Sequence, residues 1–213
     1  MLAGLSSCCG CSPEDGTLPA RLDDKCFAVP DRYAEALDAP PFLPGLVSRL
    51  GYTHMRLLFT DSELAHAVPG YDSSTADTLV VSVAVATSAE RSRARHLALN
   101  YDADVWRGSG FYEKRTVESL PKTPLLRICM TARDCLLVTA DPRAPDFDSS
   151  KADLLVASCT IYESRPLRMC VLPVVADERG WILTIDLREE NVRHRNDVSK
   201  YVLMKIDSWQ RPC

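Results

Sequence analysis

The chain has 213 residues, 46% of them hydrophobic and 25% charged, the balance of an ordinary folded domain. With 9 Gly and 14 Pro it is not collagen, coiled coil or a disordered chain, and its length allows a core that needs no metal or disulfide to fold. The 25 Lys and Arg stand against 29 Asp and Glu, for a net charge of −4, which argues against a general nucleic-acid binder.

Residues 1–30 read as an irregular segment, with Gly4, Gly10, Pro13, Gly16, Pro19 and Pro30 among small and charged residues. Residues 31–77 read as an extension of short helices and one strand. Asp31 is placed to cap a helical piece over Arg32–Leu37, and FLPGLVSRL after Pro40-Pro41 is apolar on one side. HMRLLF, from His54 to Phe59, reads as a strand. Asp61 is expected to cap the helical turn SELAHAV, which Pro69-Gly70 closes.

From Thr78 the pattern turns to β. In Leu79–Ala86, Val81, Val83 and Val85 share one face, and Val80, Ser82 and Ala84 the other. Further strands are expected over Leu97–Tyr101, Leu125–Thr131, Cys135–Ala140 and Leu154–Tyr162. Trp181–Arg188 alternates strictly, with Trp181, Leu183, Ile185 and Leu187 facing inward. Such alternation implies a sheet with one wet face, hence an antiparallel sandwich or barrel. Long helices between strands are lacking, which excludes a doubly wound parallel sheet. Residues 78–190 are therefore expected to form a β-sandwich of roughly seven or eight strands. Residues 191–213 give a C-terminal helix and tail, capped by Asn196 or Asp197, with Val198, Tyr201, Val202, Ile206 and Trp209 as its apolar stripe.

The nine cysteines are odd in number and irregular in spacing, which fits a secreted disulfide framework poorly. Cys129, Cys135, Cys159 and Cys170 lie in apolar runs and read as small buried hydrophobes of a reducing compartment. No stretch approaches the roughly 18 apolar residues that span a bilayer. MLAGLSSCCGC lacks the basic region of a secretory signal, and Cys213 is last rather than fourth from the end, so it forms no prenylation box. The expected location is the cytoplasm, with membrane association through modification.

The run Asp146-Phe147-Asp148-Ser149-Ser150-Lys151-Ala152-Asp153-Leu154-Leu155 resembles the third top loop of C2 domains. LVVSVAVA, GWILTIDLR and MCVLPVVADERG are similar to the first strand, the last strand and the segment before it. The loop is one residue short of the usual spacing, and Val156-Ala157 stands where a Gly commonly follows the apolar pair. The resemblance implies a C2-like sandwich over residues 78–188, working as a non-catalytic interaction module. It marks Asp146, Asp148 and Asp153 as candidate calcium ligands, since calcium takes 6–8 oxygens. The segment after the first strand carries Arg91, Arg93 and Arg95 where that family would place acids. Ion pairing then competes with metal, and the module is expected to work without calcium. The arginines are candidate contacts for phosphate or an acidic partner.

Cys8, Cys9 and Cys11 are candidates for S-acylation; with Cys26 they do not make the paired spacing of a zinc site. Arg193, His194, Arg195, Lys200, Lys205 and Arg211 make the tail mildly basic, and WRGSGFY reads as either a hairpin tip or core residues flanking a turn. Arg133-Asp134-Cys135 superficially suggests an activated thiol, but a strand buries that cysteine, and burial raises a thiol pKa. GxSxG, HExxH and glycine-rich phosphate loops are missing from the sequence. The expectation is therefore no enzyme and no cofactor. The partner is expected to be a protein or an anionic membrane surface, and not nucleic acid. The alternatives are a structural subunit of a larger assembly and, third, a thiol-dependent enzyme.

Overall fold

The computed structural model describes residues 16–35, 54–74, 78–92, 116–129, 131–141, 144–146, 155–161 and 167–213. The described part is mainly β, with antiparallel pairing throughout its sheets. In chain order the strands are β1 (Thr17–Leu22), β2 (Lys25–Pro30), β3 (His54–Thr60), β4 (Thr78–Val85), β5 (Thr116–Ser119) and β6 (Leu126–Cys129). They continue as β7 (Asp134–Val138), β8 (Leu155–Ile161), β9 (Arg168–Ala176), β10 (Trp181–Arg188) and β11 (Gln210–Arg211). Among the described residues α1 (Asp61–Ala67) and α2 (Arg195–Ser208) join them, and residues 88–92 are also helical.

Eight strands form one sheet in the order β3-β4-β10-β9-β8-β7-β6-β5, while β1, β2 and β11 form a small second sheet. Among the described residues between 78 and 188 the strands all hydrogen-bond side by side in one sheet, whereas two facing sheets were expected. Sequential strands pair as hairpins from β5 to β10, which is the cheapest antiparallel connection. The β9–β10 connection turns through Asp177–Arg179 and Gly180, whose φ of +72° favours a residue without a Cβ.

The main core lies on one face of the large sheet, and a smaller cluster of Ile128, Leu136 and Val138 is buried on the other face of β6 and β7. Met55, Leu57 and Phe59 of β3 face Val83, Val81 and Leu79 of β4. Trp181, Leu183, Ile185 and Leu187 of β10 continue that surface, each at most 1% exposed. Helix α2 covers it with Val198, Val202, Ile206 and the following Trp209, and β1–β2 with Leu22, Phe27 and Val29. Rings lock the layers: Tyr33 lies 4.9 Å from Trp209 and 5.2 Å from Phe59, and Phe27 meets Trp181 edge-on at 5.9 Å. Such pairs add roughly 0.5–1.5 kcal/mol beyond burial.

Several local expectations change. Residues 17–30 form a β-hairpin, with Asp23 at the turn in a left-handed conformation (φ +55°). Asp31 begins a short 3-10 turn over Asp31–Tyr33 and makes no side-chain cap. Thr60, not Asp61, caps α1, its hydroxyl accepting the Glu63 N–H at 3.3 Å. Helix α2 starts at Arg195, after His194, without a capping side chain. The expected FLPGLVSRL helix, the Leu97–Tyr101 strand and the WRGSGFY turn lie outside the described residues.

The cysteines require the largest correction. Cys135, Cys159 and Cys170 are fully buried as expected and Cys129 half-buried, but they are paired, Cys129 with Cys135 and Cys159 with Cys170. Cys26 of β2 is bonded to Cys213, spanning 187 positions of sequence. In the chain-entropy account a cross-link over so long a loop restricts the unfolded chain strongly. It also fastens the small sheet, where β11 pairs with β2 and Ala28 N–H donates to Trp209 O at 2.9 Å. Replacing both cysteines, C26S with C213S, is expected to lower unfolding stability by roughly 2–5 kcal/mol. Denaturant unfolding of the oxidised wild type and the double variant measures this, and equal midpoints would refute it.

Candidate functional site

Asp146 is exposed, whereas Asp148 and Asp153 lie outside the described residues, as do Cys8, Cys9, Cys11, Arg93 and Arg95. Among the described residues, no group of three or more His, Cys, Asp or Glu is arranged to hold a metal ion. Arg91 sits beside the β9–β10 turn: its guanidinium donates to the Ala86 carbonyl and pairs with Asp177 at 3.2 Å. Among the described residues, no helix is long and apolar enough to cross a membrane.

Among the described residues, Arg127 donates to Glu189 at 2.8 Å and to Glu118 at 3.0 Å, with Arg168 3.7 Å from the same Glu189, and two further clusters of chemistry-bearing side chains converge. The first lies at the end of β10, where Arg188 is 4% exposed and Asp61 3%. Arg188 donates to the Asp72 carbonyl and lies 3.7 Å from both the Asp61 and Asp72 carboxylates. The Tyr71 hydroxyl donates to Asp61 at 2.8 Å, and Asn191 holds Asp72 by two bonds, to its N–H at 2.8 Å and its carbonyl at 2.9 Å. Burial first, then the bond to Asp61, pushes the Tyr71 phenol far above its ordinary range. A sequence reading missed this cluster, although an Arg closing an apolar strand was a signal for a buried partner.

The second cluster ties α1 to α2. Tyr33 and Tyr201 both donate to Glu63 Oε1 at 2.5 Å, and Lys205 lies 3.4 Å from the same oxygen. Burial opposes the charge on Glu63, but the two tyrosine bonds and the field of Lys205 outweigh it and hold the carboxyl below its usual range. Burial and the bond to Glu63 push the Tyr201 phenol up to about 12. These groups brace elements against one another.

The outer face of the large sheet is different in kind. Alternation sends Val80, Ser82 and Ala84 of β4 outward, with Ile182 and Thr184 of β10 and Val171, Pro173 and Val175 of β9. Register aligns Val175, Ile182 and Ala84 in one row, and Pro173, Thr184, Ser82 and Arg56 in the next. All are half-buried or exposed, Val171 being 39% exposed. A wetted antiparallel face normally alternates to polar residues. Here Val80, Ala84, Ile182, Val171, Pro173 and Val175 share the face with Ser82, Thr184, Arg56 and Asp186. Burial raises the Asp186 carboxyl above its ordinary range, against the pull of Arg56.

No family model matches the chain, and no curated protein matches it. Among solved structures it is similar to an immunity protein of the Stenotrophomonas maltophilia type IV secretion system. The two share 13% identity with a TM-score of 0.49, over 92% of this chain and 94% of that one.

Two outcomes follow from the clusters. Removing Arg188 alone strands a buried carboxylate, so R188M is expected to destabilise by about 3–5 kcal/mol, and D61N in its background to recover part of that. A double-mutant cycle by denaturant unfolding checks it, additive losses being the contrary result. Glu63 has a depressed folded pKa, so its contribution is present above the unfolded value and is lost as pH falls through the folded one. Stability should therefore drop as pH falls below the unfolded glutamate value of about 4.3, and E63Q should flatten that part of the curve. Thermal midpoints of both proteins across that range measure the difference.

Proposed function

We propose that the chain is a non-catalytic binding protein whose outer sheet face receives a protein partner. The observation that carries this reading is the aliphatic outward row of Val175, Ile182 and Ala84, with exposed Pro173 and Val171 further along the same face of β9. Contiguous apolar surface on a folded protein marks an interaction site more often than single exposed aliphatics do. A flat sheet face offers a pre-formed surface that loses little side-chain freedom on contact, because β-branched valines are already restricted. The charges favour a protein over a lipid surface: Arg56 and Asp186 lie together on this face, and that mixture does not suit an anionic bilayer. The proposal needs neither calcium nor a cofactor. Three disulfides support an oxidising compartment, rather than the cytoplasm, as its place of work.

The test is photo-cross-linking in the producing cells, from a benzophenone side chain placed at Val171, with Met204 on α2 as the control position. A discrete adduct with one polypeptide is expected from position 171 and not from 204. V175D should cut its yield by about tenfold or more while the thermal midpoint stays close to wild type, as an unpaired charge in a dry contact would. No adduct from 171, or equal adducts from both positions, overturns the reading.

A further inference from the structure

The four cysteines of the large sheet stand in a single row. Cys129 of β6 is directly opposite Cys135 of β7, Cys135 is directly opposite Cys159 of β8, and Cys159 is directly opposite Cys170 of β9. Directly opposed residues share a face, with Cβ atoms about 4.5–5.5 Å apart. All four sulfurs therefore line the core face, along a line perpendicular to the strands. The two disulfides join the outer pairs, so the two bonded halves meet at Cys135 and Cys159.

The ends of the row differ in access. Cys135, Cys159 and Cys170 are all 0% exposed, while Cys129 is half-buried. A reductant therefore reaches the row at Cys129. A second feature singles out Cys135. Arg168 Nη1 lies 2.6 Å from Cys135 Sγ and 3.1 Å from the Arg133 carbonyl oxygen. Glu189 holds the same guanidinium at 3.7 Å. A guanidinium against sulfur stabilises the thiolate and makes that sulfur the better leaving group and the poised nucleophile.

We propose that Cys129, Cys135, Cys159 and Cys170 form a thiol–disulfide relay that carries reducing equivalents from the half-exposed end of the row into the core. The electron source is an external dithiol. Its thiolate attacks Cys129 Sγ, the Cys129–Cys135 bond breaks, and the electron pair leaves on Cys135 as a thiolate paired with Arg168. The second thiol of the reductant attacks the mixed disulfide, so the dithiol departs as a disulfide and Cys129 takes a proton as a free thiol. The Cys135 thiolate then attacks Cys159 Sγ, which faces it across one strand spacing of about 4.7–4.9 Å. A Cys135–Cys159 bond forms, the Cys159–Cys170 bond breaks, and the pair leaves on Cys170. The exchange itself is redox-neutral, and the net change is one dithiol oxidised and one protein disulfide reduced. The register sets the attacking, central and leaving cysteines directly opposite one another on the adjacent strands β7, β8 and β9.

The test uses the full chain carrying C8S, C9S and C11S, so that those cysteines take no part, and the Cys26–Cys213 bond is followed separately through its own linked peptide. The native protein is treated with limiting dithiothreitol at neutral pH, quenched with N-ethylmaleimide, and digested without reduction for mass spectrometry. A peptide linked through Cys135 and Cys159 is expected, with Cys129 and Cys170 alkylated. C129S should show the same linkage with no reductant added. R168Q should slow its formation by about tenfold at neutral pH and move the rate–pH profile to higher pH, while its circular dichroism stays that of the parent. Alkylated Cys129 and Cys135 beside an intact Cys159–Cys170 bond overturns the relay. So does a Cys135–Cys159 link that forms only in denaturant.

Discussion

Strand β10 has a neighbour along its whole length on the β9 side and along most of it on the β4 side, and the burial of its inward row is the constraint from which the architecture follows. Trp181, Leu183, Ile185 and Leu187 point one way because a strand alternates with period two. A slip of one residue would turn that row to water and the outward row to the core. Gly180 holds the register from one end through the tight β9–β10 turn, and Arg188 from the other through its buried carboxylates. Once the row is fixed, its neighbours on β9, β4 and β3 fall into one continuous apolar surface. That surface needs a cover, and α2 with the β1–β2 hairpin supplies it.

The sequence made the period-two and period-3.6 elements legible, and little of what depends on long-range register. β10, β4 and α2 each carry one wet and one dry face, so their residues alternate or recur and can be read directly. Strand β9 escaped because both faces are apolar and Pro173 interrupts it; an outward-facing aliphatic row erases the very alternation used to find a strand. Strands β1 and β2 were hidden by Pro19 and Pro30, which read as loop punctuation although one sits in an edge strand and the other closes a strand. Thr60 and Asp61 are both good caps, and only the distant Arg188 and Tyr71 explain why Asp61 serves the interior instead. The disulfides could not be read at all, because which cysteines oppose one another is decided by strand pairing and not by spacing. Of the three aspartates in the loop with C2 resemblance, Asp146 is the one among the described residues, and it stands exposed.

The two polar clusters show how the frame spends its charge. Arg188 and Asp61 are nearly fully buried, a placement that costs several kcal/mol per ion unless partners recover it. Asp72, Tyr71 and Asn191 are those partners, and all come from the loop after α1 or the turn after β10. The Glu63 cluster joins α1 to Tyr33 and α2 in the same manner. Each cluster lies where the chain leaves the sheet, at points that apolar packing alone would leave free to shift. Their specificity is positional: they fix which loop lies against which strand end.

The outward aliphatic row and the inward cysteine row share strand β9. Val171, Pro173 and Val175 point out, while Cys170 and Leu172 point in between them. The Cys159–Cys170 bond therefore ties β8 to β9 directly behind the proposed docking surface. A sheet transmits a local change along its hydrogen-bonding direction, because strands are coupled by their ladders and side chains by close packing. Moving the cross-link from β8–β9 to β7–β8 removes the covalent tie beneath Val171 and leaves the ladder alone to hold that strand. The face opposite the core is thus supported by a bond whose position depends on thiol chemistry at the far end of the row, and partner contact and redox state act on the same strand from its two sides.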